Sequence, residues 1–200
     1  MRVLELFSGT HSVGNVCKEL GYEVVSLDID GRADITVNIL DWDYHTYPTK
    51  YFDIVWASPP CTEFSIMNQC NKRFKIPDIP YASSLVERAL EIITYFNPER
   101  FFIENPQSGT LKDQPFMFEL PFYDVDYCRY GHPIRKRTRI WTNTKKFSPK
   151  KCGRNSPCES LVVGEGSRSK HLNFSYMNIP GKNRTDLRHS IPAPLIRSLL

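Results

Sequence analysis

The chain has 200 residues, 40% of them hydrophobic and 24% charged, with six cysteines and a formal net charge of +4. This composition suits one well-packed core. It excludes a disordered chain, a coiled coil and a disulfide-stapled mini-protein, and no apolar run approaches the roughly 20 residues of a membrane span. The charge is split: residues 1–128 hold 10 Lys/Arg against 19 Asp/Glu, a net −9, and residues 129–200 hold 16 against 3, a net +13. Met1-Arg2 leads straight into an apolar strand-length run, Arg2–Phe7, with no signal or transit peptide ahead of it. The expectation is therefore an intracellular protein of cytoplasm or nucleus, not secreted, with reduced thiols. Ser8-Gly9-Thr10 punctuates the strand, and Val13, Val16, Cys17 and Leu20 recur at helical spacing up to Gly21. Tyr22–Leu27 predicts a second strand, ending at Asp28-Ile29-Asp30. Phe52–Ala57 predicts another, ending at Ser58-Pro59-Pro60-Cys61. Ser83–Phe96 predicts a helix stopped by Asn97-Pro98, and Arg100–Ile103 a strand running into Glu104-Asn105-Pro106. Phe122–Cys128 and Thr138–Thr142 could be strands. Lys145–Gly181 reads as a long irregular segment, and Ala193–Leu200 as a terminal helix. Strand and helix in alternation imply a mostly parallel, doubly wound α/β sheet.

In such a sheet, ligands bind beyond the carboxyl ends of the strands. Four strand ends here carry distinctive polar groups: Ser8-Gly9-Thr10, Asp28, Cys61 and Glu104. The glycine turn lets a ligand approach the backbone and a helix N-terminus, and Asp28 is placed to accept hydrogen bonds from ribose hydroxyls. The pairing points to a nucleoside-containing cofactor and does not separate NAD from S-adenosylmethionine. The two prolines stiffen the strand exit that presents Cys61, whose thiolate could attack an electrophilic carbon. Glu104, after Phe102-Ile103, is expected to be partly desolvated and so able to donate a proton near neutrality. Each feature alone has a plain structural reading: a turn, a solvated acid, a buried thiol, a loop-bonding carboxylate. Ten basic residues and no acidic one from Arg129 to Arg154 suit a polyanionic partner, with a solvated basic surface as the alternative.

In order along the chain, these segments resemble the motifs of the DNA (cytosine-5)-methyltransferase family. Leu6-Phe7-Ser8-Gly9-Thr10-His11-Ser12-Val13-Gly14 looks like its cofactor loop. Asp28 falls where the family has a ribose-binding acid, and Asp41 is similar to its acid near the adenine amino group. Pro60-Cys61 with Phe64-Ser65 resembles the catalytic loop, and Glu104-Asn105 the Glu-Asn pair. Gly131-His132-Pro133 through Arg137-Thr138-Arg139-Ile140 resembles the Arg-x-Arg motif. Ser190-Ile191-Pro192-Ala193-Pro194-Leu195 is similar to the final helix motif, with His189 in place of the family's usual Asn. The resemblance covers residues 2–142 and 188–200 and has the compact look of viral and phage members.

The resemblance implies a Rossmann-like class I methyltransferase fold in a single domain, using S-adenosylmethionine. Residues 1–142 form the catalytic core, 143–187 a reduced and irregular basic recognition segment, and 188–200 a helix returning to the core. It implies Cys61 adding to C6 of a cytosine flipped out of DNA, Glu104 at N3, Arg139 contacting the base or orienting the catalytic groups, and Arg137 supporting the loop. Phe7, Ser8, Gly9, Thr10, Asp28, Ile29, Asp41, Pro60 and Ser190 are the cofactor-binding candidates. Ser65, Asn105, Lys72 and Arg73 are the substrate-binding ones, Lys72 and Arg73 lying in a loop that could close over the backbone. The main departure is the small recognition region. It leaves open RNA or a free cytosine nucleotide as substrate, a protein partner or second copy supplying specificity, or a catalytically silent nucleic-acid-binding relative. No membrane partner is expected. Cys128, Cys152, Cys158 and His171 could in principle bind zinc, but the Cys152–Cys158 spacing is wider than a C-x-x-C pair, so free thiols are the default and no metal is assigned.

Overall fold

The computed structural model describes residues 1–66, 76–153, 158, 160–163, 169–171 and 184–200. Its centre is a seven-stranded sheet in the order β3-β2-β1-β4-β5-β7-β6. The strands are β1 (Arg2–Leu6), β2 (Glu23–Asp28), β3 (Ile35–Thr36), β4 (Ile54–Ala57), β5 (Arg100–Pro106), β6 (Phe122–Asp126) and β7 (Arg137–Thr142). The first five run parallel, and β7 enters antiparallel between β5 and β6. The expected doubly wound sheet is present.

Strand periodicity of two divides the apolar side chains between two layers. Leu4, Leu6, Val55, Ala57, Ile103 and Trp141 pack on one face under the long helix α2 (Ile79–Phe96). Val3, Ile54, Trp56, Phe102 and Ile140 pack on the other, under α1 (Ser12–Glu19) and the terminal helix α4 (Ala193–Leu199). Leu195, Ile196 and Leu199 seat α4 in that layer, and Arg197 pairs with Glu19 of α1. The return of the C-terminus to the core is thus an apolar contact with an exposed ion pair at its edge.

Two expectations on element boundaries are corrected. Helix α2 begins at Ile79 rather than Ser83: the Asp78 carboxylate accepts the Tyr81 backbone N–H at 3.0 Å, and Pro80 lies in the first turn, where its missing N–H costs nothing. The stretch taken as irregular contains a small antiparallel pair, β8 (Leu161–Val163) and β9 (Ser169–His171), outside the main sheet. Strands of three residues are too short to show period-two patterning. A short helix α3 (Arg184–His189) precedes α4. The buried His132 ring ties it to the β6–β7 connection, its Nε2 lying 3.1 Å from the Leu187 carbonyl.

Candidate active site

A cavity of about 550 Å³ opens at the carboxyl ends of β1, β2, β4 and β5. That is within the range of roughly 300–1,000 Å³ typical of small-molecule sites. The turn from β1 into α1 forms its floor. Phe7, Gly9 and His11 all have positive φ, so the chain doubles back tightly beneath the helix N-terminus. The carboxylate of Glu5, buried on β1, accepts the Val13 and Gly14 backbone N–H groups at 3.1 Å each. Burial pushes Glu5 up to about 7, against the lowering effect of those two hydrogen bonds. A Cβ on Gly14 would sit 2.6 Å from Glu5 Oε2, so glycine leaves room for that carboxylate at the helix N-terminus. The sequence reading passed over Glu5. The available signal was a carboxylate interrupting the apolar run Val3-Leu4-Glu5-Leu6-Phe7.

Phe7, Ser8, Gly9, Thr10, Asp28 and Ile29 all line this cavity, as do Pro60, Cys61 and Glu104. Asp28 braces the turn, its Oδ2 accepting the Gly9 N–H at 2.9 Å and its Oδ1 the Asp30 N–H at 3.0 Å. The Ser8 hydroxyl is buried with no hydrogen-bond partner among the described residues. Asp41 is exposed and does not line the cavity; Asn38 and Ile39 stand there instead. Asn38 is held by its own bonds, accepting the Leu40 N–H at 3.0 Å and reaching the Tyr81 hydroxyl at 3.3 Å. Ser190 is also not in the wall, which its neighbours His189 and Ile191 supply. Its hydroxyl turns back to the Leu187 carbonyl.

Cys61 follows the double proline at the end of β4. Asn105, wholly buried on β5, donates from Nδ2 to the Pro59 carbonyl at 2.9 Å and so fixes the approach to the thiol. Beyond Cys61 the loop is pinned again where the Phe64 carbonyl accepts the Thr110 N–H at 2.9 Å. Ser65 lies within this pinned stretch, outside the cavity wall, its N–H bonded to the Thr62 carbonyl. Burial raises the Cys61 thiol above its ordinary value; the Lys136 ammonium acts to lower it and the Glu104 carboxylate to raise it further. Glu104 is buried, as the sequence led one to expect, but among polar partners. Its Oε1 accepts the buried Tyr127 hydroxyl at 2.6 Å and lies 3.4 Å from Lys136 Nζ.

Arg137 and Arg139 are not brought to this group. Alternation along β7 sends them to the opposite face from Glu104. Arg137 is exposed, and Arg139 forms a two-pronged pair with Asp124 at 2.7 and 3.0 Å while stacking on Phe122 at 3.5 Å. Among the described residues, Lys136, one residue before β7, is the Lys or Arg that lines the cavity. Lys72 and Arg73 lie outside the described residues.

The fold is similar to those of solved methyltransferases. A methyltransferase of Entamoeba histolytica superposes with a TM-score of 0.54 at 17% identity, over 90% of this chain and 63% of that one. A candidate DNA modification methyltransferase encoded in an E. coli prophage gives 0.54 at 16%, over 71% of this chain and 46% of that one. At this identity the likeness shows the fold, that of class I S-adenosylmethionine methyltransferases. No protein-family profile matches the chain. A "Probable DNA (cytosine-5)-methyltransferase" of Frog virus 3 is 37% identical over 214 aligned positions, 100% of this chain and 99% of that protein. This chain belongs to the DNA (cytosine-5)-methyltransferase family. The viral family member is matched from end to end, whereas the chain spans only about half to two thirds of the two solved structures. Among the described residues no helix is long and apolar enough to cross a membrane.

Proposed function

We propose that this chain methylates C5 of cytosine in DNA through a covalent adduct between Cys61 Sγ and C6. The observation that carries the reading is that Cys61 and Glu104 end neighbouring parallel strands and open into one cavity with the β1–α1 turn. S-adenosylmethionine, when bound, supplies an electrophilic methyl group. The residues present fit such a group. The buried Ser8 hydroxyl has an unmet hydrogen bond, Asp28 offers a carboxylate at the strand end, and Ile39 and Leu85 offer apolar wall.

The Cys61 thiol gives up its proton to water, and the thiolate attacks C6. Glu104 holds N3 of the ring and gives it a proton as electron density moves into C5. Tyr127 and Lys136 both engage Oε1, which orients the carboxyl group for that contact. Once C5 carries the methyl group, water takes the C5 proton, the freed electron pair re-forms the C5–C6 double bond and expels the Cys61 thiolate, and N3 returns its proton to Glu104. Because C6 is covered within a stacked duplex, the base must leave the helix to reach the cavity. Residues 143–187 serve as a reduced recognition segment that grips the backbone.

The test is labelled-methyl uptake into duplex DNA, tRNA and dCMP. Uptake into duplex DNA that Cys61→Ser lowers by about 10³-fold or more, while S-adenosylmethionine binding survives, is the expected result. Uptake only into tRNA or dCMP reassigns the substrate, and undiminished activity in Cys61→Ser removes the adduct.

A further inference from the structure

Four donors from three separate pieces of chain converge beside the sheet. Cys128 lies in the turn after β6, Cys152 in the segment after β7, Cys158 before β8, and His171 at the end of β9. His171 Nε2 is 3.4 Å from Cys152 Sγ and 3.2 Å from Cys158 Sγ, and all four ligand atoms lie within 4.8 Å of one another. Zinc held tetrahedrally at 2.3 Å from sulfur and 2.0–2.1 Å from nitrogen needs donor–donor separations of about 3.5–3.8 Å. Three thiols and one imidazole are the soft set that selects zinc over magnesium or calcium.

We infer that Cys128, Cys152, Cys158 and His171 form a structural zinc site. Four protein donors close the coordination shell and leave no position for a reacting water. The surroundings support the ligands as a metal site requires. Asp126 Oδ2 accepts the Cys152 N–H at 2.7 Å, Arg135 donates to the Cys152 carbonyl at 2.8 Å, and Asp126 and Arg135 pair with each other. The site has a structural task. A two-stranded pair with three-residue strands is marginal alone, and the ion fastens β8 and β9 to the end of β6. It also anchors the chain directly after Lys150-Lys151, and it fixes Cys128, the residue after the Tyr127 that bonds Glu104. The inference does not depend on the methyl-transfer reading. The wide Cys152–Cys158 spacing argued against zinc in the sequence because that pair is not a tight knuckle, and the other two donors, Cys128 and His171, come from elements distant in the chain.

The test uses the full chain, expressed with added zinc and purified under reducing conditions without chelator. Elemental analysis is expected to find one zinc per chain, retained through dialysis, and Cys158→Ser to leave it substoichiometric. Cobalt exchanged into the wild type should give the visible bands of a tetrahedral thiolate site. A His171→Cys variant should keep the metal with a shifted spectrum, which separates ligation from folding. Metal-free folded protein, iron in place of zinc, an octahedral cobalt spectrum, or a native disulfide among the three cysteines would each overturn the assignment.

Discussion

Glu5 is a carboxylate placed under a helix end with little water near it. Its folded pKa of about 7 lies above the ordinary 4.5 because burial disfavours the charged form. The protonated form is therefore favoured by folding. The associated stability is complete below about pH 4.5 and is lost as pH rises through 7, a change on the order of 3 kcal/mol. Urea unfolding at pH 5 and pH 8 should show the wild type losing stability relative to Glu5→Gln; parallel profiles would place the titration elsewhere. Lys136 acts on the chemistry in a comparable local way. Its ammonium lowers the Cys61 thiol that burial raises. Lys136→Met should slow methyl transfer by about 10²-fold and move the rising limb of the pH–rate profile to higher pH, with Lys136→Arg in between. A slowed enzyme with an unmoved limb would reduce Lys136 to a packing role. Neither residue stood out in the sequence. A lone acid in an apolar strand and one lysine among ten basic residues acquire meaning only when the fold names their neighbours.

The β6–β7 pair shows how an element decides what its residues do. Arg139 sits directly across from Asp124 in the antiparallel register, and β7 alternation turns it away from Glu104. A shift of one residue exchanges the faces of a strand, so the motif letters Arg137-Thr138-Arg139 could be read without knowing which of them meets the cavity. The same limit applies to Asp41, where β3 has only two residues and the wall is completed by Asn38. By contrast, the strand ends at Ser8, Asp28, Cys61 and Glu104 were legible, because an apolar run followed by Gly, Pro or an acid marks both the strand and its exit. Arg139→Ala should therefore weaken the fold by about 1–3 kcal/mol in chemical unfolding, with the rate of methyl transfer changed far less than by Lys136→Met. A loss of rate at unchanged stability would return Arg139 to the reaction.

At the scale of the whole molecule, the opposite charges of the two parts of the chain raise the question of which cations are left for a nucleic acid. Within the stretch from Arg129 to Arg154, Arg135 and Arg139 are held by Asp126 and Asp124, and Lys136 faces Glu104. Arg137, Lys145, Lys146, Lys150 and Lys151 are exposed. Lys150 is positioned by its backbone, its N–H bonded to the Tyr130 hydroxyl at 2.9 Å and its carbonyl to the Asp126 N–H. Four or five phosphate contacts from this group predict that log Kobs for duplex DNA falls against log salt concentration with a slope of about −4. Changing Lys145, Lys146, Lys150 and Lys151 together to alanine should leave a slope no steeper than about −1, and do so to a similar extent on DNA of any sequence, since phosphate contacts carry no base information. Binding isotherms at several salt concentrations measure both quantities. A slope unchanged by the four substitutions would move the nucleic-acid path off the segment after β7. A slope lost on one sequence only would mean that these lysines read bases, and that recognition in this short chain is built into the basic run itself.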